Sequence, residues 1–474
     1  MTLSPDFKAQ ILAILPPDEA ESLFHTIETT EPSVSVRLNT AKVPLPGTTS
    51  GNSPKAIMEP VPWCSRGFYL DGRQPFTFDP LLHAGAYYVQ DASSMIVQHI
   101  VAQLVDSPVR YLDLCAAPGG KTTAALDALP EGSLMVTNEI MPDRARILLE
   151  NVVKWGNAAC VVTSDSSDRF AALSGFFDVV AADVPCSGEG MFRKDAEAVA
   201  QWTPRLVAQC AERQREIVGN AWQALRPGGI FIYSTCTYNR SENEAMVEHL
   251  ISEYDAESID LCFPDEWLVR NGIGTDAHCY RFMPHRTRGE GLFVAALRKP
   301  GNAPHAAIQP SKPGKKGKSA GKEPQLPKSV GSWVNGDYAV STAESGSVIA
   351  LPASHSSEIA MLRSKVRVLH AGVEIATIKG HDAVPAQSLA LSTALNADAF
   401  PVAELDYATA IAYLRGESIT LTDSSVPRGF AIVAYRGLPL GFVKNLGNRA
   451  NNLYPKEWRI KSTHIPDTPP QIIQ

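Results

Sequence analysis

A chain of 474 residues, 44% hydrophobic and 20% charged, has room for two to four domains of roughly 150 residues with ordinary cores. No apolar run approaches the ~20 residues of a membrane helix, and the first residues lack a basic stretch leading into an apolar one. Neither a bilayer span nor a secretory signal is therefore expected. The net charge of −7 is unevenly spread: residues 301–474 hold 18 Lys and Arg against 13 Asp and Glu, and residues 1–300 hold 25 against 37. That pattern sets a basic C-terminal part, able to meet a polyanion, on an acidic body. The eight cysteines show no Cys-x(2–4)-Cys spacing. They read as free thiols of a cytoplasmic protein, without a disulfide framework or a metal site.

Along the chain, Phe7 to Ile27 predicts short helices broken by Pro16-Pro17, Val34 to Asn39 a strand, and Ser93 to Leu104 an amphipathic helix. From there strands and helices alternate as an α/β unit requires. The predicted strands are Val109 to Leu114, Leu134 to Asn138, Cys160 to Thr163, Phe177 to Ala182 and Ile230 to Tyr233. The intervening helices are Thr122 to Leu129, Pro142 to Trp155 and Pro204 to about Leu225. Ser241 to Tyr254 reads as a helix opened by a capping box, Ser241 to Glu244. Cys279 to Phe282 and Leu292 to Leu297 suggest a closing antiparallel pair. The stretch 299–328, rich in Pro, Gly, Lys and Ser, reads as a flexible basic linker. Beyond it, short strands, Val366 to Leu369 and Phe430 to Tyr435, and a helix near Tyr407 to Arg415 suggest a small α+β or barrel-like domain. The expected division is 1–90, 91–298, 299–328 and 329–474.

Three segments fall directly after predicted strands, where parallel sheets collect their ligands. The first is Cys115-Ala116-Ala117-Pro118-Gly119-Gly120-Lys121-Thr122. It is not a phosphate loop, because Cys115 stands where the first glycine would be, and it lacks the dinucleotide fingerprint. Its Gly-Gly turn still lets a ligand approach the backbone. Glu139, Asp165 and Asp183 end the next three strands, where carboxylates can accept from a ribose diol and an adenine amine. An adenosine without phosphates, S-adenosylmethionine, is the expected cofactor. The other two segments carry Cys186, in Asp183-Val184-Pro185-Cys186-Ser187-Gly188-Glu189-Gly190, and Cys236, in Tyr233-Ser234-Thr235-Cys236-Thr237-Tyr238. Strands lie about 4.8 Å apart, so thiols past adjacent strands can face one substrate. Lys121 and Arg193 are candidate cations for activating a thiolate, and Phe192, Trp202 and Tyr238 are candidate stacking partners for a base.

These segments, with Gly85 to Ser94 and Glu242-Asn243-Glu244, resemble the RNA cytosine-C5 methyltransferases of the Sun type over about residues 30–300. Val184, before Pro185, is the visible departure, since Ala or Pro is common there. Residues Gly437 to Gly441, Lys444, Asn448-Arg449 and Tyr454-Pro455 resemble the PUA-like RNA-binding tail of a bacterial branch of that family. The resemblance implies a Rossmann-like class I S-adenosylmethionine-dependent methyltransferase domain, with a small N-terminal α+β region and a C-terminal PUA-like domain. It implies methylation of cytosine C5 in small-subunit (16S) ribosomal RNA, with ribosomal RNA or the small subunit as partner. Cys236 is then the nucleophile adding to C6, Cys186 acts in release, and Asp183 bonds the base. Arg37 and Asn39 fall in the family's RNA-facing N-terminal segment. The same reaction on transfer RNA is the alternative enzyme, and a non-catalytic ribosome-assembly factor the alternative of another class. Monomer is the expected state.

Overall fold

The structure, a computed structural model, describes residues 2–45, 58–303, 330–343, 345–380 and 382–473. Two helices open the chain, Pro5–Leu12 and Pro17–Thr29, each started by proline and separated where Pro16-Pro17 predicts. Their apolar faces bury Phe7, Ile11, Leu23 and Phe24 against Phe192, Trp202, Tyr238 and Met283. An antiparallel sheet follows, in the order 59–61, 64–70, 34–38, 87–89.

Arg37 and Asn39, expected to face RNA, are instead buried. Arg37 donates to Gln90 Oε1 (2.9 Å), is ion-paired with Asp127, bonds Thr123, and lies 4.5 Å over the Trp155 ring. Asn39 donates to the carbonyls of Gly85 and Trp155. A buried guanidinium must be paired, and pairing it here ties the N-terminal sheet to the catalytic unit.

The catalytic unit is built on β1 (Arg110–Asp113), β2 (Leu134–Asn138), β3 (Cys160–Thr163), β4 (Phe177–Asp183), β5 (Leu225–Thr235), β6 (Tyr280–Phe282), β7 (Leu292–Arg298) and β8 (Val368–Ala371). Their order across the sheet is 8-3-2-1-4-5-7-6, with 270–271 beyond β6 and 257–258 beside β7. Strands β1 to β5 run parallel, and β6, β7 and β8 pair antiparallel to their neighbours. The parallel strands are apolar on both faces because helices cover both. Two core clusters lie on the sheet, one around Leu112, Val136, Val180 and Phe231, the other around Tyr111, Met135, Val179 and Ile232. Its helices include α1 (Gly120–Leu126), α2 (Pro142–Trp155), α3 (Pro204–Ala224) and α4 (Glu244–Tyr254). β5 begins at Leu225 and takes in the turn predicted to precede it. The capping box at Ser241 does not form: α4 starts after Asn243 with no side-chain cap. The nearby acids are engaged elsewhere, Glu242 by the Ser187 N–H and Glu244 by Arg281.

The predicted linker lies outside the described residues from 304 onward. Among the described residues of 329–474 the chain forms two sheets, whose buried Val348, Val373 and Ile375 on one and Ile432 and Phe442 on the other share one core. The first orders 338–342, 347–352, 373–379 and 382–385. The second orders 402–404, 429–435, 438–445 and 450–452, with the helix Tyr407–Leu414 beside it. Between the first sheet's strands, α5 (Ser356–Lys365) and β8 leave it for the catalytic unit. Ile359, Leu362, Val366 and Ala371 are buried in the same core cluster as Leu134, Phe170 and Phe177.

Candidate active site

Parallel pairing sets Asp183 opposite Ser234 at the carboxyl ends of β4 and β5. The chain then turns over Pro185 on one side and past Thr235 on the other, and the two predicted thiols meet. Cys186 Sγ lies 3.3 Å from Cys236 Sγ, both half-buried and both free. The hydrogen bond to Cys236, with burial behind it, pushes the Cys186 thiol well above its ordinary range. Both causes favour the protonated form of Cys186, and either sulfur can donate in the contact between them.

Two buried carboxylates hold these loops together, and sequence reasoning gave neither a role. Glu189 accepts from the Tyr238 N–H (2.5 Å), the Asn239 N–H (3.0 Å), Trp202 Nε1 (3.1 Å) and Gln10 Nε2 (2.9 Å). Glu242 accepts from the Ser187 N–H (2.9 Å), Gln214 Nε2 (2.9 Å) and Asn239 Nδ2 (2.7 Å). Each therefore joins the Cys186 loop to the Cys236 loop. The signal lay in the sequence as an acid between Gly188 and Gly190. At Gly190 a Cβ would stand 2.9 Å from the Cys236 carbonyl oxygen and 3.0 Å from that of Glu290. The loops approach too closely there for a side chain.

Asp183 accepts from Ser234 Oγ (2.9 Å) and from Lys121 Nζ (2.8 Å). Burial opposes the charge on Lys121, yet Asp183, then Cys236 and Asp113, hold the ammonium above its usual range. Lys121 is thus the cation beside the thiols. Arg193, the other candidate, is occupied by Glu290 (2.9 Å) and the Gly289 carbonyl. The expected stacking residues are core: Phe192, Trp202 and Tyr238 are buried, with Phe7 edge-on to Phe192 and Trp202.

The segment from Cys115 to Lys121 leads from the end of β1 into the first turn of α1. Ala116 N–H donates to the Asn138 carbonyl (2.8 Å), Arg144 holds the Ala117 carbonyl (2.9 Å), and Asn151 holds that of Pro118 (2.8 Å). Gly119 turns the chain with φ of 111°, a conformation suited to glycine. Glu139 is buried past β2, accepting from the Met141 N–H (2.9 Å) and pairing with Arg144 (3.2 Å). Asp165 is half-buried past β3.

A further acid escaped the sequence reading, which counted strand-end acids from the second strand onward. Asp113 ends β1, accepting from Thr122 Oγ1 (2.6 Å). Burial first, then Asp183 and Glu139, push its carboxyl up to about 7. Burial followed by Asp113, Asp183 and Glu139 also pushes the Cys115 thiol up. The crevice therefore carries a negative field and hydrogen-bond acceptors. That suits a ligand bearing a cationic sulfonium, a ribose diol and an adenine amine, and it opposes one bearing phosphates.

Sheet order, strand-end acids and the loop after β1 together define a class I S-adenosylmethionine-dependent methyltransferase. The family model of the 16S rRNA methyltransferase RsmB/F matches residues 103–298. Those of the N-terminal domain of 16S rRNA methyltransferase RsmF and of the methyltransferase RsmF PUA domain match 3–92 and 400–460. Ribosomal RNA small subunit methyltransferase F of Erwinia tasmaniensis is 31% identical, the match covering 96% of each chain. That of Klebsiella pneumoniae is 33% identical over 89% of each. The chain belongs to the RsmB/F methyltransferase family.

Among solved structures, a methyltransferase homolog from Pyrococcus horikoshii is 25% identical with a TM-score of 0.50. It matches 63% of this chain and 100% of its own. NSun6 from the same organism with SFG is 18% identical with a TM-score of 0.53, over 63% of this chain and 99% of its own, and shares the fold. As a member of that family, the protein is an RNA methyltransferase that uses S-adenosylmethionine.

Proposed function

We propose that the protein methylates C5 of a cytosine in 16S ribosomal RNA through a covalent Cys236 adduct. The observation that carries this reading is the pair of thiols 3.3 Å apart beside the Asp183–Lys121 ion pair. The relatives named for small-subunit ribosomal RNA, aligned over nearly the whole chain, support the choice of RNA.

Cytosine C5 is a weak nucleophile. The Cys236 sulfur adds to C6, forming a C–S bond and moving electron density onto C5. Lys121, adjacent and cationic, favours the thiolate that adds, and the Cys186 S–H shares its charge. Asp183 faces the base. A proton that Asp183 carries there, hydrogen-bonded to N3 of the base, offsets the charge that the incoming thiolate sends into the ring, and it returns to Asp183 on release. S-adenosylmethionine, when bound, supplies the methyl group to C5. Cys115 to Lys121 would line its crevice, with Glu139 accepting from the ribose diol and Asp165 from the adenine amine.

Release then needs a base for the C5 proton. Cys186, having passed its proton to water, takes that of C5 directly or through a water. The C5–H electrons re-form the C5–C6 double bond, the C6–S bond breaks, and Cys236 leaves as the thiolate. The reaction requires both thiols reduced, a need that a reducing cytoplasm meets. The C-terminal half, with its surplus of cations, offers a second contact to the RNA phosphates.

The test incubates wild type, Cys186→Ala and Cys236→Ala with S-adenosylmethionine and small ribosomal subunits, mapping 5-methylcytosine and protein–RNA adducts. The reading expects methylation by wild type, an accumulating adduct without Cys186, and neither product without Cys236. Methylation surviving the loss of Cys236 rejects the nucleophile, and wild-type activity confined to transfer RNA rejects the substrate.

A further inference from the structure

β8 runs antiparallel to β3, so its first residue lies beside the last of β3, Val368 opposite Thr163. The pairing continues into the cofactor crevice. Ser164 N–H donates to the Arg367 carbonyl (3.0 Å), and the Arg367 N–H donates to Asp165 Oδ2 (2.9 Å). Just before it, the Lys365 carbonyl accepts from Arg169 (3.1 Å). Val366, between these bonds, is buried with Ile359 and Leu362 of α5 in the catalytic core. The backbone at 365–368 is thus fixed by packing and by hydrogen bonds on both sides of Arg367.

Asp165 follows the end of β3, where its short side chain is free to rotate unless something holds it. A main-chain donor on Oδ2 fixes the plane of the carboxylate and leaves Oδ1 with spare acceptor capacity, its one neighbour being the Ser166 N–H at 3.3 Å. An acceptor already oriented loses less freedom when it bonds a ligand. We propose that the Arg367 main-chain N–H is a positioning group of the cofactor site. It orients Asp165 toward the adenine amine, so the C-terminal half completes the pocket that binds S-adenosylmethionine. This rests on the assignment of Asp165 to the adenine. The exposed Arg367 side chain plays no part, so alanine is tolerated and proline, which has no N–H, is not. Val366 is already extended (φ −127°, ψ 156°), as a residue before proline must be. Coupling is reciprocal: bound cofactor must tighten the docking of β8.

The test uses the full chain with Arg367→Ala, Arg367→Pro and Asp165→Ala, titrated with S-adenosylhomocysteine and with S-inosylhomocysteine, which carries an oxo group in place of the amine. Arg367→Ala should bind both as wild type does. Arg367→Pro should bind the adenosine ligand about tenfold more weakly, and its preference for adenine over hypoxanthine should fall to that of Asp165→Ala. Equal weakening of both ligands by proline, or wild-type affinity and preference in that variant while Asp165→Ala loses both, overturns the inference and leaves Asp165 in place. Wild-type behaviour of Asp165→Ala overturns the Asp165 assignment, and the inference with it. Amide exchange on the wild-type protein decides the matter even where the proline variant does not fold. Saturating S-adenosylhomocysteine should slow exchange at the Arg367 amide about tenfold or more, and an unchanged rate overturns the inference.

Discussion

Asp113 shows how the crevice treats charge. Its carboxyl is 3% exposed and faces Asp183 and Glu139, so it holds a proton up to about pH 7, whereas an unfolded chain releases it near 3.9. A pKa raised on folding gives stability that is complete below the unfolded value and is lost as pH rises through the folded one. Asp113→Asn keeps the shape and removes the titration. Between pH 5 and pH 8 the stability of the variant relative to wild type should therefore rise by about 2–3 kcal/mol. Urea unfolding at the two pH values measures this, and a difference that does not change with pH would reject the titration assigned to Asp113. The side chains that the fold gathers beside it were legible as a group because their chemistry restricts residue type: thiols, a lysine and acids at strand ends. Arg37 was misread because a residue type does not reveal burial, whereas Phe192, Trp202 and Tyr238 take the core role that large aromatics more often have. An arginine on a short strand reads the same whether it meets phosphate or, as here, the Trp155 ring and Asp127.

The elements that set the thiol distance are two loops, and their geometry depends on backbone approach more than on side-chain contact. Gly190 N–H donates to the Cys236 carbonyl (2.8 Å), while Glu189 gathers the N–H groups of Tyr238 and Asn239. A methyl group at 190 has to displace backbone atoms on two sides. A shift of about 1 Å in a reacting group can cost about 100-fold in rate, so Gly190→Ala should lower single-turnover methylation at least tenfold. The cofactor loop lies on another strand, so affinity for S-adenosylhomocysteine should hold. Parallel loss of rate and cofactor affinity would show that the two loops are not the independent module described here. At this scale the sequence reading succeeded where periodicity decides: β2, β3 and α2 fall on their predicted residues, because strands buried on both faces and a helix opened by proline and closed by glycine are local signals. It failed where a distant partner decides. The capping box lost its acids to Ser187 and Arg281. Val366 to Leu369 read as a strand, but its partner, β3, lies some two hundred residues earlier and shares no local pattern with it.

The whole molecule is organised so that neither end is an appendage. The N-terminal helices pack Phe7 against Phe192 and Trp202, behind the Cys186 loop, and Gln10 reaches Glu189 itself. From the other end, α5 and β8 cover the β3 side of the sheet and bury Leu362 completely. An exposed edge strand invites pairing with another chain, and β8 occupies that edge. If α5 and β8 are part of the catalytic core, damage placed on them must be felt in strands far away in sequence. Leu362→Ala removes a fully buried side chain and should cost about 2–5 kcal/mol. Because two-state units lose stability as wholes, the same loss should appear as faster amide exchange in β3 and β2 and as an earlier urea midpoint for the loss of S-adenosylhomocysteine binding. A C-terminal half hanging from an independent catalytic domain makes the opposite prediction: exchange would quicken in 330–473 alone, and the cofactor-binding transition would not move. Measuring exchange over 134–163 in Leu362→Ala therefore separates a tethered RNA-binding tail from a chain whose last third is built into its catalytic core.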